Sequence, residues 1–243
     1  MEERLKLTKV STATKVDATL YQSIVDGLRY LVHTRPKIMF AAGYVSRFME
    51  DPKEDNWAAV KRLLRYVKGT VDQGIIFSKT GRSRLQLSVF SDADMAGDID
   101  GRRSTSGVLV FLKSASISWL LLKQKVVALS TCEAEYVVAV IAACQVVWLR
   151  QLLGELTGEK THPPAPMVDN QPAIVLVKNP VMHDRSKHID VKFHFLRDYV
   201  DGGQIVIELV ETSWQLADVL TKPLGRLQLI ELKEMIGVEG YKG

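Results

Sequence analysis

Cysteine is scarce in this sequence and long apolar runs are missing, and both absences restrict the kind of protein that it encodes. The 243 residues include two cysteines, Cys132 and Cys144, which form no Cys-x-x-Cys pair. We therefore expect neither a disulfide framework nor a structural zinc site. No run approaches the ~18 consecutive apolar residues of a membrane span, and residues 1–10 contain no apolar segment typical of a secretory signal. We expect an intracellular protein that is not secreted and has no membrane partner.

Several catalytic signatures are missing as well. The five histidines form no His-Glu-x-x-His motif or other pair four residues apart, so we expect no zinc site on a helix. The Gly-x-Ser-x-Gly, P-loop and Gly-x-Gly-x-x-Gly motifs are also absent. What is present is an ordinary globular composition, with 47% hydrophobic and 25% charged residues, in a chain long enough to bury a core.

The net charge of +4 is small, but it is divided unevenly along the chain. Residues 1–84 contain 16 Lys and Arg against nine Asp and Glu, a net charge of +7. Residues 85–243 contain 16 against 19, a net charge of −3. This division suggests a region that binds a polyanion beside a region that needs carboxylates, although charge also drifts by chance along protein surfaces.

The hydrophobic pattern predicts helices first and then a mixed α/β region. After a tail or linker, we expect helices at about 21–32, 38–49 and 55–68. Alternation with a period of two then predicts three antiparallel strands, at about 85–94, 108–112 and 115–119. A long buried helix from Ser130 comes next, followed by a strand at 167–169, helices at 172–178 and 190–200, a strand at 204–210 and a last helix at 214–220. This order predicts a mixed sheet with helices on its faces.

Four carboxylates lie near the ends of predicted elements, among apolar or small neighbours: Asp92, Glu135, Asp169 and Asp218. A buried carboxylate is costly unless it is paired or bound to a metal. We expect no Lys or Arg partner close in sequence to Asp169 or Asp218, so a divalent cation is a reasonable partner. Oxygen ligands suit Mg²⁺ or Mn²⁺ better than zinc. Any one of the four could equally be a cap, turn or surface residue, so their spacing leaves both interpretations open.

The two glutamates of the long helix are expected to differ in role. Glu133 and Glu135 are about 200° apart around a helix, so they cannot both face one site. Glu133 belongs to a capping box that Ser130 opens, which leaves Glu135 as the inward residue. Three further aspartates are expected to be loop residues: Asp94, Asp98 and Asp100.

Six short motifs carry a resemblance to a known family. They are Ser-Asp-Ala-Asp at 91–94 with Ala-Gly-Asp at 96–98, Arg-Ser-Thr-Ser-Gly at 103–107, Ala-Leu-Ser-Thr-Cys-Glu-Ala-Glu-Tyr at 128–136, Val-Asp-Asn-Gln at 168–171, Lys-His-Ile-Asp at 187–190 and Leu-Ala-Asp-Val-Leu-Thr-Lys-Pro-Leu at 216–224. Together, and in this order, they resemble the ribonuclease H domain of copia-type retrotransposon Pol polyproteins. Residues 21–69 resemble the segment that follows the polymerase palm in the same polyproteins.

The resemblance implies a fold and a division into domains. The fold would be α/β, a ribonuclease H-like mixed five-stranded sheet flanked by helices and preceded by a small helical segment. We expect a tail or linker at 1–20, the helical segment at 21–80, the ribonuclease H-like domain at 81–227 and a C-terminal tail at 228–243.

The resemblance also implies an activity, two-metal-ion hydrolysis of the RNA strand of RNA–DNA hybrids. The catalytic and metal-binding residues would be Asp92, Glu135, Asp169 and Asp218, with two Mg²⁺ ions as cofactor, Mn²⁺ being possible. The chain would act beside the polymerase part of the same polyprotein, in a cytoplasmic particle or the nucleus. Contacts to the nucleic acid are expected from Asn170 and Gln171 beside the site and from a basic face of the third helix, formed by Lys61, Arg65 and Lys68.

Some positions depart from the family pattern. Met95 stands where the family usually carries Trp, residues 120–122 form a run of leucines, and no polymerase palm is present, so we expect no DNA polymerase activity. Two other functions therefore stay open. One is a catalytically silent hybrid-binding remnant of a decayed element, and the other is a different nuclease or strand-transfer enzyme of the same fold.

Overall fold

The computed structural model describes residues 5–77, 85–158, 162–178 and 190–240, with side chains in the last range from residue 194 onward. The motif at 187–190 lies outside the described side chains. The described residues form two regions, a helical segment and a sheet with helices on both faces.

The helical segment consists of α1 (Ala18–Leu31), α2 (Met39–Val45) and α3 (Glu54–Lys68). Short 3-10 turns at Pro36–Ile38 and Ser46–Phe48 flank α2, so the single helix expected at 38–49 is divided. The three helices pack around a core of their own, whose fully buried members include Tyr21, Val25, Ala42, Val45 and Val60. Strand β1 (Gln73–Ile75) follows α3.

Residues 5–16 are not a free tail, and in this respect the prediction for 1–20 was wrong. Leu7 is buried in the core of the helical segment, and its backbone N–H donates a 3.0 Å hydrogen bond to Tyr44 Oη. Backbone hydrogen bonds also join Val16 to Pro52 and Glu54 to Thr14. Residues 5–16 therefore pack on the helices, with Leu7 as their apolar anchor.

The second region contains a five-stranded mixed sheet, as predicted. Its strands are β2 (Leu87–Asp94), β3 (Thr105–Leu112), β4 (Ala115–Lys123), β5 (Ala165–Val168) and β6 (Glu208–Leu209), in the order β4-β3-β2-β5-β6. The first three strands are antiparallel neighbours, whereas β5 is parallel to both β2 and β6. Strand β6 is shorter than the 204–210 expected. The strand β2 is central, so residues near its end lie between both halves of the sheet.

One face of the sheet is covered by α4 (Thr131–Thr157), with α5 (Gln171–Lys178) and α6 (Asp190–Asp201) beside it. The predicted cap is confirmed, since the Ser130 hydroxyl accepts a hydrogen bond from the Glu133 N–H and Glu133 accepts from the Leu129 N–H. By length and composition alone, α4 could cross a membrane. Half of its most apolar stretch is buried inside the protein, however, as is typical of a core helix.

The other face carries α7 (Asp218–Thr221), α8 (Arg226–Met235) and β7 (Val238–Gly240). Leu220, Leu232 and Ile236 pack there against Leu109 and Phe111 of β3. The prediction of a C-terminal tail from residue 228 was therefore wrong, because α8 has an apolar side and β7 pairs with β1. The helix expected at 214–220 is shorter, beginning at Asp218, and α8 follows it.

The helical segment packs against the same face of the sheet. Trp119 of β4 donates a 2.7 Å hydrogen bond from Nε1 to the Val32 carbonyl. A Cβ added at Gly43 of α2 would lie 2.8 Å from the Leu121 side chain, so the glycine permits this close approach. Part of the leucine run at 120–122 is therefore an internal contact, although Leu122 is 46% exposed.

Candidate active site

Asp92 lies near the end of the central strand β2 and is 1% exposed. It is paired in register with Gly107 of β3, where an added Cβ would lie 2.7 Å from Thr221 Cγ2. Because Gly107 has no side chain, α7 can approach the sheet at this point. The Thr221 hydroxyl then donates a hydrogen bond to Asp92 Oδ2, which holds the carboxylate in one orientation.

Glu135 reaches the same point from the first turns of α4. Its Oε1 accepts a 3.1 Å hydrogen bond from the Ala93 N–H, next to Asp92 in β2. Its Oε2 is buried without a hydrogen-bond partner among the described residues. Glu133 turns away to the helix cap, so the predicted division of roles between Glu133 and Glu135 matches the structure.

Asp169 directly follows β5, the parallel neighbour of β2, and the Thr212 side chain hydrogen-bonds to it. One carboxylate oxygen each from Asp92, Glu135 and Asp169 lie within 4.8 Å of one another. The sheet therefore brings together three of the four carboxylates that the sequence singled out, from three separate elements.

Asp218 is the first residue of α7 and is 4% exposed. It meets the others through Lys222, whose ammonium lies 2.7 Å from Asp218 Oδ1 and 3.1 Å from Asp92 Oδ1. The expectation that no basic residue lies close in sequence to Asp218 was wrong. Lys222 is one helical turn further on, a spacing at which side chains meet, and that spacing was the missed signal.

We call Asp92, Glu135, Asp169 and Asp218 the four-carboxylate cluster. The negative charge of this cluster exceeds the positive charge that Lys222 supplies. Burial, followed by the negative charges of Asp92 and Asp169, raises the pKa of Glu135 to about 9. Burial and Asp92 also raise the pKa of Asp169, and they raise that of Asp218 to about 6. The pKa of Lys222 is raised although burial opposes this, because Asp92 and Asp218 favour its charged form. One ammonium faces these four carboxyl groups and also Asp94, expected to be a loop residue but part of β2, whose pKa burial and Asp92 raise to about 6.

The donor set fits a hard divalent cation. The three converging groups offer only carboxylate oxygens, which Mg²⁺ and Mn²⁺ prefer. The unpartnered buried Oε2 of Glu135 is costly without a cation or proton and supplies a ready ligand atom. We call Asp92, Glu135 and Asp169 the triad. Asp92 belongs to the triad and also contacts Lys222.

A second acidic group lies nearby and behaves differently. Asp98, expected to be an ordinary loop residue, is 4% exposed and forms ion pairs with Lys123 and with Arg47, the latter at 3.7 Å. Its Oδ2 also accepts a hydrogen bond from the Gly101 N–H. Burial alone would raise the pKa of Asp98, but the hydrogen bond and charge of Lys123 outweigh it, so the pKa is lowered. We call Asp98, Lys123 and Arg47 the Asp98 cluster.

Of the predicted nucleic-acid contacts, the basic residues belong to the helical segment, whereas Asn170 and Gln171 directly follow Asp169. Lys61, Arg65 and Lys68 are exposed on α3, and Lys61 lies 5.4 Å from the Trp57 ring centroid. Asn170 has a local structural role, since its Oδ1 accepts from the Ala173 N–H at the start of α5. The adjacent Gln171 is exposed.

Sequence reasoning missed Arg47 of the helical segment. Besides contacting Asp98, its guanidinium donates to Thr105 Oγ1 and lies 5.0 Å from the Tyr44 ring centroid. Arg47 and Lys123 line a cavity of about 410 Å³ between the helical segment and the sheet, together with Arg29 and His33. Thr105 is paired in register with Asp94, so this cavity opens beside the end of β2.

The mixed five-stranded sheet, with helices on both faces and carboxylates at the end of its central strand, is the α/β arrangement that the resemblance implies. No model of a protein family matches the chain. It is 44% identical over 233 residues, 96% of its length, to the retrovirus-related Pol polyprotein from transposon RE2 of Arabidopsis thaliana. It is also 41% identical, in an alignment of 241 residues that covers 96% of this chain, to the retrovirus-related Pol polyprotein from transposon TNT 1-94 of Nicotiana tabacum. The chain belongs to the family of copia-type retrotransposon Pol polyproteins, as the motifs predicted.

The chain spans 16% of the length of the first of these relatives and 18% of the second. Among solved structures, LC11-RNase H1 in complex with an RNA/DNA hybrid is similar with a TM-score of 0.40 and 14% identity, over 56% of this chain and 94% of that one.

Proposed function

We propose that this chain hydrolyses the RNA strand of RNA–DNA hybrids by two-metal-ion catalysis, as the C-terminal part of a retrotransposon reverse transcriptase. The observation that supports the proposal most strongly is the convergence of Asp92, Glu135 and Asp169 within 4.8 Å, with Asp218 joined through Lys222. The membership in the Pol polyprotein family supports a substrate made during reverse transcription, and it makes the polymerase part the natural partner.

The chain's own residues have distinct tasks in this proposal. Asp92 is held by Thr221 at the point shared by the other carboxylates, so it is the residue best placed to serve both cation positions. Glu135 and Asp169 complete one position, and Asp218 with Asp92 forms the other. Bound Mg²⁺ would activate the attacking water and stabilise the leaving 3′ oxygen. Without a divalent cation the carboxylates would repel the phosphate, so we expect cleavage to depend strictly on it.

The test is cleavage of a labelled RNA–DNA hybrid by the purified chain in Mg²⁺ and in EDTA. Asp169→Asn should abolish cleavage while leaving the fold intact. Asp201→Asn, which changes an exposed aspartate at the end of α6, is the matched control and should cleave as the unmodified chain does. Binding of the hybrid without cleavage, in both Mg²⁺ and Mn²⁺, would contradict the proposal and favour a silent remnant. Cleavage of plain duplex DNA would favour another nuclease of this fold.

A further inference from the structure

The two cation positions of the proposed site are not equivalent. At the first, three carboxylates converge and Glu135 Oε2 has no hydrogen-bond partner among the described residues. At the second, between Asp92 and Asp218, the ammonium of Lys222 contacts one oxygen of each carboxylate. Among the described residues no ammonium is in hydrogen-bond contact with Glu135 or Asp169, whereas Lys222 contacts both carboxylates of the second position.

We infer that Lys222 is a built-in cation that occupies the Asp92–Asp218 position and competes there with the second divalent ion. This inference rests on the proposed metal-dependent function. Lys222 is a positioning residue: it holds Asp92 and Asp218 together and neutralises part of their charge. The second divalent ion can bind only when the ammonium moves aside.

The geometry supports exchange rather than a permanent structural ion pair. Asp92 and Asp218 have nearly fully buried side chains, whereas the Lys222 side chain is 36% exposed. A partly exposed lysine has a flexible four-carbon stem and can withdraw its ammonium into water. The two aspartates are held in place by β2 and α7, and Asp92 is also held by Thr221. The carboxylates therefore stay assembled when the cation between them changes.

The inference predicts ordered binding of metal ions. In the absence of nucleic acid, the chain should bind one Mn²⁺ at the triad and a second one at least tenfold more weakly. The variant Lys222→Met should bind both ions with similar affinity, because nothing then competes for the second position. Lys222→Arg keeps the positive charge and should resemble the unmodified chain.

Two measurements without catalytic turnover test this. The first is the thermal unfolding of the metal-free chain in EDTA, where Lys222→Met should melt several degrees lower and Lys222→Arg should melt near the unmodified chain. Lys15→Met is the matched control, because it removes an ion pair whose two side chains are 73% and 52% exposed, and it should change little. If Lys222→Met folds poorly, addition of Asp218→Asn, which removes one carboxylate, should restore its stability.

The second measurement is Mn²⁺ binding followed by electron paramagnetic resonance, which distinguishes an isolated ion from a coupled pair. The unmodified chain should show isolated Mn²⁺ at low ion concentration, and Lys222→Met should show the coupled pair. Two equivalent ions in the unmodified chain, with hybrid cleavage intact, would overturn this inference alone. Absence of Mn²⁺ binding in both the unmodified chain and Lys222→Met would overturn the inference and the proposed function together.

Discussion

The four-carboxylate cluster and the Asp98 cluster are neighbours at one end of the sheet, and both contain deeply buried aspartates beside a lysine. In the Asp98 cluster one carboxylate has two cations and a backbone N–H, and its pKa is lowered. In the four-carboxylate cluster, four carboxyl groups share Lys222, and the pKa values of Glu135, Asp169 and Asp218 are raised. The same residue types thus lower the pKa of the carboxyl group in one cluster and leave the pKa values of the carboxyl groups raised in the other.

This contrast separates a structural group from a functional one. A buried charge that serves stability is paired until its ordinary ionised form is favoured, as Asp98 is. Carboxylates that repel one another in the folded chain cost stability, and such groups are typical of sites that bind or react with something else. Burial and proximity to an active site would describe both clusters equally, whereas the balance of charge distinguishes them.

The largest expected difference between the clusters is in catalysis. Asp92→Asn should reduce hybrid cleavage in Mg²⁺ by on the order of 10³-fold or more, because it removes the ligand shared by both cation positions. Asp98→Asn should change the rate per folded molecule by only a few-fold, since Asp98 contacts no member of the triad among the described hydrogen bonds and ion pairs. Single-turnover cleavage with excess chain measures both. Equal losses in the two variants would contradict a catalytic role that belongs to the four-carboxylate cluster and not to the Asp98 cluster.

The stability of the metal-free chain should show the opposite order. Asp98→Asn leaves Lys123 and Arg47 without their carboxylate, so we expect the free energy of unfolding to fall by about 1–3 kcal/mol. At pH 8 the Glu135 carboxyl, with a pKa of about 9 in the folded chain, must take up a proton when the chain folds. Glu135→Gln removes this requirement and places an amide N–H beside Asp92 and Asp169. We expect it to be neutral or to raise the free energy of unfolding by up to ~1 kcal/mol. Urea unfolding in EDTA at pH 8 measures both, and a loss of stability in Glu135→Gln as large as in Asp98→Asn would contradict the argument.

The sequence predicted the fold class and the members of the triad, but not the charge balance of the two clusters. Motifs identify Asp92, Glu135 and Asp169 because each lies at a recognisable element end. Asp98 belongs to one of the motifs, but its ion pairs gave no signal, because its partners Lys123 and Arg47 are 25 and 51 residues away in the sequence. The C-terminal residues were missed for a related reason, since the short strand β7 is stabilised by pairing with the distant β1.

The pH dependence of stability provides a smaller effect that also differs in sign between the clusters. The pKa of Glu135 is about 9 in the folded chain, against an ordinary value of about 4.3. The folded chain therefore holds more protons than the unfolded chain across this range, and the free energy of unfolding should fall as the pH rises from ~5 to ~9. Asp98 has a lowered pKa in the folded chain. Its contribution to the free energy of unfolding is therefore present above the ordinary pKa of aspartate and is lost as the pH falls below that value.

The expected change from pH 6 to pH 9 in EDTA is about 1–2 kcal/mol, allowing for relaxation around the buried groups. Urea unfolding across this range measures it. Glu135→Gln should flatten the curve, and saturating Mn²⁺ should do so as well, because a bound cation favours the ionised carboxylates. Asp98→Asn should shift the whole curve downward at these pH values without flattening it. A free energy of unfolding that rises toward pH 9 in the metal-free chain would contradict the assignment of raised pKa values.

The smallest expected effect concerns two exposed basic side chains of α3, Lys61 and Arg65. Unlike Lys123 and Arg47, which form ion pairs with Asp98, these two side chains form no ion pair in the part of the chain that the structure describes. If the basic face of α3 follows the hybrid backbone, the double variant Lys61→Gln with Arg65→Gln should bind the hybrid about 3–10-fold more weakly at ~0.1 M salt. The slope of the logarithm of the binding constant against the logarithm of the salt concentration (the salt slope) should become shallower by ~1 for each residue removed. Stability should not change, because exposed charges contribute little to folding.

Fluorescence anisotropy of a labelled hybrid, in Ca²⁺ to prevent cleavage, measures the affinity across salt concentrations. Lys15→Gln is the control, since Lys15, in the stretch that packs on the helical segment, is already paired with Asp51 at 3.0 Å and its loss should leave the salt dependence nearly unchanged. An unchanged slope in the double variant would mean that α3 faces away from the nucleic acid. The cavity lined by Arg29 and Lys123 would then be the better path for the backbone, because it opens beside the strand that carries Asp92 and Asp94.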